Sequence, residues 1–133
     1  MKRIVIKIGS SSLVNDSGEL DRSKITNLVK QISLLKNNDI MPILVSSGAI
    51  AVGKSILKIK PQTIAEKQAL AAVGQADLMH VYEEVFASFN LNCAQILLNH
   101  DDFDVRKRVL NLENTINTLI DLDVIPIINE NDA

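Results

Sequence analysis

One cysteine, Cys93, occurs in 133 residues. A single thiol cannot build an intramolecular disulfide framework, which excludes a small cross-linked secreted scaffold and points to a reducing compartment. Its setting, between Leu91 and Ala94, is that of a small buried hydrophobe and not of a catalytic thiol. An excess of either charge is missing too: 14 Lys and Arg stand against 16 Asp and Glu, for a net charge of −2. The basic residues are scattered singly, which leaves no nucleic-acid footprint and no polybasic membrane patch. Long apolar runs are also lacking. The N-terminal run Ile4 to Ile8 contains Lys7 and is too short for a signal peptide or a membrane span. From these absences a cytoplasmic location is expected. Neither Gly-x-x-x-x-Gly-Lys-Ser/Thr nor Gly-x-Gly-x-x-Gly occurs, so neither familiar nucleotide-binding motif is available.

What is present is an ordinary globular composition, 47% hydrophobic and 23% charged. A single domain of this length buries roughly two-thirds of the surface its unfolded chain exposes. Strand-like and helix-like patterns alternate along it. Arg3 to Ile8 is β-branched and closed by Gly9; Ile40 to Val45, Asn92 to Leu98 and Val124 to Ile128 are the other strands. Ile25, Leu28, Val29, Ile32 and Leu35 recur at helical spacing, and Asn37-Asn38-Asp39 ends that helix. A short helix spans Ala49 to Leu57, and a long one Ile64 to Phe89, with Leu70, Val73, Leu78, Val81, Tyr82, Val85 and Phe86 as its core face. Gly74 lies inside it and costs about 1 kcal/mol unless close packing needs the missing side chain. A last helix runs from Asp104 to Asp121.

This alternation predicts an α/β fold, a three-layer αβα sandwich with a mainly parallel sheet. Near-continuous apolar strands such as Ile40 to Val45 suit a sheet covered on both faces. Pro126 cannot donate to a ladder, so its strand is expected at an edge or a bulge. Four parallel strands make a thin sheet for such a domain, which hints at strands beyond these.

Each strand ends in a polar, turn-prone cluster: Lys7-Ile8-Gly9-Ser10-Ser11-Ser12, Ser46-Ser47-Gly48, Asn99-His100-Asp101-Asp102 and Asn129-Glu130-Asn131-Asp132. In a parallel sheet all four lie along the carboxyl edge, where open α/β folds bind ligands. Around Gly9 and Ser10 the backbone can approach a ligand and turn N–H groups toward an anion. Lys7 can neutralise charge developing on a transferring phosphoryl group. Its place within an apolar strand weighs against idle exposure. Ser46-Ser47-Gly48 opens a helix, whose N-terminus is a natural anion site. The last cluster offers two carboxylates and two amides, enough to hold an ammonium group. His100 has no partner at metal-ligand spacing, so no metal ligand is assigned, and Asp101 and Asp102 read as caps of the next helix.

Four segments carry a resemblance: Lys7-Ile-Gly-Ser-Ser-Ser12, Val45-Ser-Ser-Gly-Ala-Ile50, Lys67-Gln-Ala-Leu-Ala-Ala-Val-Gly-Gln75 and Ile125-Pro-Ile-Ile-Asn-Glu-Asn-Asp-Ala133. In order and spacing they resemble the glutamate 5-kinases of the amino acid kinase superfamily. The last two segments separate that group from acetylglutamate, aspartate, carbamate and uridylate kinases. The resemblance implies in-line, Mg²⁺-assisted transfer from ATP to the γ-carboxylate of L-glutamate, giving γ-glutamyl phosphate, the first step toward proline. It implies Lys7 as the transition-state lysine, Ser47 as a glutamate contact, Asp132 as the substrate-binding aspartate and Asn129 as a pocket-lining asparagine. Lys7, Gly9, Ser10 and Gly48 are then expected to form the phosphate loops. Leu98-Asn99-His100-Asp101 departs from the family's usual Thr-Arg, so contacts of that loop are expected to differ.

In the family the chain continues with a Gly-Asp-Asn-Asp segment and a nucleotide-binding half. The resemblance therefore implies that residues 1–133 are the N-terminal, glutamate-binding part, inactive alone, with the nucleotide-binding C-terminal half absent from this chain. A homo-oligomer is expected of the full-length protein. Rival readings are a non-catalytic glutamate-binding fragment and a related kinase acting on another small carboxylate.

Overall fold

The computed structural model describes residues 2–96 and 105–130. Its elements follow the expected alternation: β1 (Lys2–Ile8), α1 (Arg22–Asn37), β2 (Ile40–Ser46), α2 (Ala49–Leu57), α3 (Ile64–Ser88), β3 (Asn92–Ile96), α4 (Val105–Asp121) and β4 (Val124–Asn129). A 3₁₀ turn, Ser10–Ser12, follows β1. The sheet is parallel throughout, in the order β1-β2-β4-β3. Passing from β1 to β2 to β3 the chain moves one way across the sheet; from β3 to β4 it steps back. Right-handed crossovers then carry α1, α2 and α3 over one face and α4 over the other. The packing of α1 on α3 fits that assignment, which makes three layers.

Local chemistry sets the boundaries. Asp21 caps α1 by accepting from the Ser23 and Lys24 amides, and Thr63 caps α3 by accepting from the Glu66 amide at 3.1 Å. Three turns from helix to strand each place an Asn or Asp in the left-handed region: Asp39 (φ 62°), Asn90 (φ 59°) and Asp123 (φ 59°). These residue types tolerate that conformation best after glycine. The core beneath α1 and α3 brings Ile25, Val29, Ile32, Leu78, Tyr82 and Phe86 against Leu44, Ile125 and Ile127 of the central strands, while Met41, in register with Arg3, is buried on the α4 face. The core face expected for α3 is right in substance: Leu70, Leu78, Tyr82, Val85 and Phe86 are buried.

The sheet departs from expectation in two places. β4 is an inner strand, so Pro126 stands neither at an edge nor at a bulge, paired with Ala94 of β3. Its missing donor is tolerated for a geometric reason. The Glu130 amide donates to the Ser46 carbonyl, so by the two-residue alternation of a strand the Pro126 nitrogen also faces β2. The Pro42 nitrogen faces β4 by the same count. The β2–β4 ladder begins only beyond both prolines, at Leu44 with Ile127. One short stretch of the sheet thus absorbs both defects.

The second departure is β1. It is an edge strand, and its Arg3, Val5 and Lys7 face lies on the side of α4, which packs chiefly on β4. Val5 is 64% exposed, unlike the nearly continuous burial of β2. The Arg3 guanidinium reaches across to Asn117 Oδ1, at 2.6 Å.

Candidate functional site

Three strand ends converge on one cleft of about 290 Å³. Ser10 from the 3₁₀ turn, Ser47 and Gly48 from the β2–α2 turn, the first residues of α2, and Glu130 beyond β4 line it, with Lys54 and Lys67 on its helical wall. The volume lies just below the roughly 300–1,000 Å³ usual for ligand pockets, a size for a small metabolite.

The turn between β2 and α2 is built tightly. The Ser47 amide and its hydroxyl both donate to the Ile8 carbonyl, at 3.0 and 3.1 Å, which ties the turn to the end of β1. With its hydrogen so engaged, the Ser47 hydroxyl faces a ligand as an acceptor, suited to an ammonium. Gly48 follows with φ +107°, and a Cβ there would lie 3.5 Å from Leu13 Cδ1 and from Ser10. Only glycine takes that backbone without strain. As the residue preceding α2 it has no side chain to cap the helix. The leading N–H groups of α2 are therefore presented at the cleft, and the helix dipole adds partial positive charge to them.

Two glycines set where this helix end lies. A Cβ on Gly74 of α3 would fall 1.8 Å from the Ala49 carbonyl oxygen, and one on Gly53 of α2 would fall 2.0 Å from the Leu70 carbonyl oxygen. The close packing that would justify Gly74 is present. Below the turn, Ser46 is 2% exposed, and its hydroxyl shares a buried 2.9 Å hydrogen bond with the Tyr82 phenol. Burial pushes the Tyr82 phenol up to about 12, which keeps it a neutral partner. Burial likewise pushes the Cys93 thiol up to about 11, with the Glu83 carboxylate adding to it. A thiol so disposed is no nucleophile at neutral pH, as its apolar setting implied.

Of the residues named from sequence, Ser10, Ser47 and Gly48 come together in the cleft. Asn129 stands in register with Ser46 at the end of β4. Gly9 leads the 3₁₀ turn with open space around it and does not line the cleft. Lys7 stands at the rim, its Nζ 3.7 Å from Glu130 Oε1 with 74% of the side chain exposed. Among the described residues β1 is the outer strand and its Lys7 face is uncovered, so the apolar strand around it does not bury the side chain here. Asp132, His100, Asp101 and Asp102 lie outside the described residues.

Glu130, Lys54 and Lys67 were not singled out from sequence. Glu130 belongs to a cluster that was recognised, but only the β4 register turns it toward Lys7. Lys54 and Lys67 share a wall only because Gly53 and Gly74 let α2 and α3 approach. The cleft carries charge of both signs: the α2 amides with Lys54 and Lys67, and Glu130, which Lys7 approaches from the rim. Such a cleft suits a small ligand with an anionic end and a cationic end.

Residues 2–133 match the amino acid kinase family. The chain belongs to that family. Among curated relatives, a glutamate 5-kinase of Clostridium acetobutylicum is 52% identical over 100% of this chain and 51% of its own length. One of Clostridium tetani is 50% identical over 100% of the chain and 51% of its own length. One of Nitrosomonas eutropha is 49% identical over 99% of the chain and 36% of its own length. This amino acid kinase chain thus spans about half the length of some curated relatives and about a third of others. Its parallel sheet with helices agrees with the family fold, and among the described residues no helix is long and apolar enough to cross a membrane.

Proposed function

We propose that this amino acid kinase chain supplies the acceptor side of a glutamate 5-kinase, a cytoplasmic enzyme that phosphorylates the γ-carboxylate of L-glutamate in proline biosynthesis. The observation that carries the reading is the cleft itself: uncapped α2 amides, two lysines and Glu130 line one space of amino-acid size. The names of the relatives, and their identity over the whole chain, add the substrate.

On this reading the α2 amides and the Ser10 turn hold an anionic group, a carboxylate or a phosphate oxygen. The ammonium of glutamate lies toward the acidic side, with Glu130, Asn129 and the acceptor lone pairs of Ser47 on hand; Asp132 is proposed as its main anionic partner. Lys7, exposed at the rim, offsets the charge that builds between a carboxylate nucleophile and a polyanionic donor. ATP, when bound, supplies the phosphoryl group. The residues that fit its transferring phosphate are Lys7 and the amides around Gly9, Ser10 and Gly48. Among the described residues no three His, Cys, Asp or Glu side chains gather to hold a metal, so Mg²⁺ would arrive on the phosphates, as is usual for that ion. The nucleotide base and ribose need more wall than this cleft has, which fits a chain covering about half to a third of its relatives' length. A homo-oligomer of the full-length enzyme belongs to the same proposal.

Calorimetry on the 133-residue chain tests the reading. L-glutamate should bind, and N-acetylglutamate, whose ammonium is blocked, should bind at least tenfold more weakly. Equal affinity for the two would sink the ammonium assignment and favour another small carboxylate. A coupled ADP-release assay with ATP and glutamate should show no turnover by this polypeptide. Ordinary turnover would refute the division into an acceptor side and a separate nucleotide side.

A further inference from the structure

Two contacts from one helix converge on the turn that carries Ser47 and Gly48. At its C-terminal side, Gly74 of α3 lets the Ala49 carbonyl lie against the helix backbone, too close for any side chain. At its N-terminal side, the Tyr82 phenol meets the Ser46 hydroxyl in a buried pair. Gly74 and Tyr82 are eight residues apart, about two helical turns, so they project from one face of α3 about 12 Å apart along its axis. The turn of residues 46–49 is therefore pinned at both ends to one rigid element.

Ser46 is also the junction of the site's strands. Its carbonyl accepts the Glu130 amide at 2.9 Å, and it is in register with Ile8 on one side and Asn129 on the other. Ser47, Glu130 and Asn129 all take their positions from the backbone of this residue. A plain core would fill the place of Ser46 with an apolar side chain. A hydroxyl paired to a phenol instead gives the strand end a directional anchor, which apolar packing does not.

We infer that Tyr82, though it touches no ligand, is the positioning residue of the cleft: its bond to Ser46 sets the β2–α2 turn and, through the Ser46 carbonyl, the start of the acidic segment at Glu130. The inference rests on the acceptor-site reading only for its consequence in binding; its geometric content can be read without a ligand.

Backbone hydrogen exchange and glutamate calorimetry on Tyr82→Phe, Ser46→Ala, the double variant and Ser46→Thr form the test. In Tyr82→Phe and Ser46→Ala the Ser47 and Glu130 amides should exchange at least tenfold faster, while amides in the middle of the β1–β2 ladder keep their rates. Glutamate affinity should fall about fivefold in each, the loss expected for one neutral hydrogen bond. The double variant should lose no more than either alone, since the pair acts as a unit. Ser46→Thr, which retains the hydroxyl, should restore exchange and affinity. Uniformly faster exchange across the sheet would overturn the inference, because the pair would then support the fold at large. Unchanged exchange at Ser47 and Glu130 would overturn it as well. Local loosening in a chain that binds no glutamate would support the positioning role and count against the acceptor reading instead.

Discussion

Gly48 and Gly9 frame the same loops and should respond unequally to the same change. Gly48 has φ +107° and neighbours at 3.5 Å from the place of a Cβ, while Gly9 has an extended backbone and open space. Gly48→Ala should cost about 1–2 kcal/mol for the left-handed backbone and weaken glutamate binding, because the strained turn carries the α2 amides with it. Gly9→Ala should leave the urea midpoint unchanged within about 0.5 kcal/mol. Equal midpoints for the two variants would contradict the turn geometry. Lys7 offers a second contrast. Its pair with Glu130 spans 3.7 Å with both side chains well exposed, and such pairs contribute about 0–1 kcal/mol. Lys7→Ala should therefore leave denaturation nearly untouched, and any effect on a ligand would report on the site and not on folding. The residue types of the site were legible in the sequence, because polar clusters after apolar strands are visible as composition. The exposure of Lys7 was not legible: nothing local to β1 says which neighbours its odd face will lack.

Between α2 and α3 the decisive feature is the absence of side chains. Gly74→Ala would gain about 1 kcal/mol of helix propensity, yet its Cβ would meet backbone at 1.8 Å, and Gly53→Ala at 2.0 Å. Backbone cannot rotate away as a side chain can, so both variants should be destabilised by about 1–3 kcal/mol or more in urea titrations. Gly74→Ala should also shift the α2 N-terminus, and with it glutamate affinity. A stabilised Gly74→Ala would refute the contact. Thr63→Ala should lose about 1 kcal/mol of α3 capping in the same titrations. Most elements were legible within a residue or two from periodicity and from Asn and Asp at helix ends. Pro126 misled, since the rule against inner-strand prolines assumes a full ladder on both sides. Here the β2–β4 ladder starts one residue after it, and only the pairing register reveals that.

For the molecule as a whole, the buried groups set a stability profile on the alkaline side. Burial raises the Cys93 thiol from 9.0 to about 11 and the Tyr82 phenol from 10.0 to about 12. In both cases the folded state keeps a proton that the unfolded chain gives up. Their contribution is complete below the ordinary values and is lost as pH rises, from about 9 for the thiol and 10 for the phenol, through the folded values. At about 1.4 kcal/mol per unit, Tyr82 contributes at most roughly 3 kcal/mol of that loss. Urea midpoints measured from pH 8 to 11 should fall steadily, and Tyr82→Phe should flatten the part above pH 10. A profile that rose over that range would contradict the burial of both groups.

Composition, periodicity and four short segments determined, without coordinates, the α/β class, the order of strands and helices, the kinase resemblance and most candidate residues. Those properties depend on neighbours close in the chain: alternation for strands, 3.6-residue spacing for helices, glycine and polar residues where the chain must turn. Tertiary structure alone decided the strand order that puts β4 inside the sheet, the uncovered face that leaves Lys7 at the rim and the helix contact that brings Lys54 beside Lys67. It alone placed Tyr82 under Ser46. Each of these depends on residues far apart in the chain meeting at ångström distances, and single-chain patterns carry the tendency of a segment to form but not the partner it will meet.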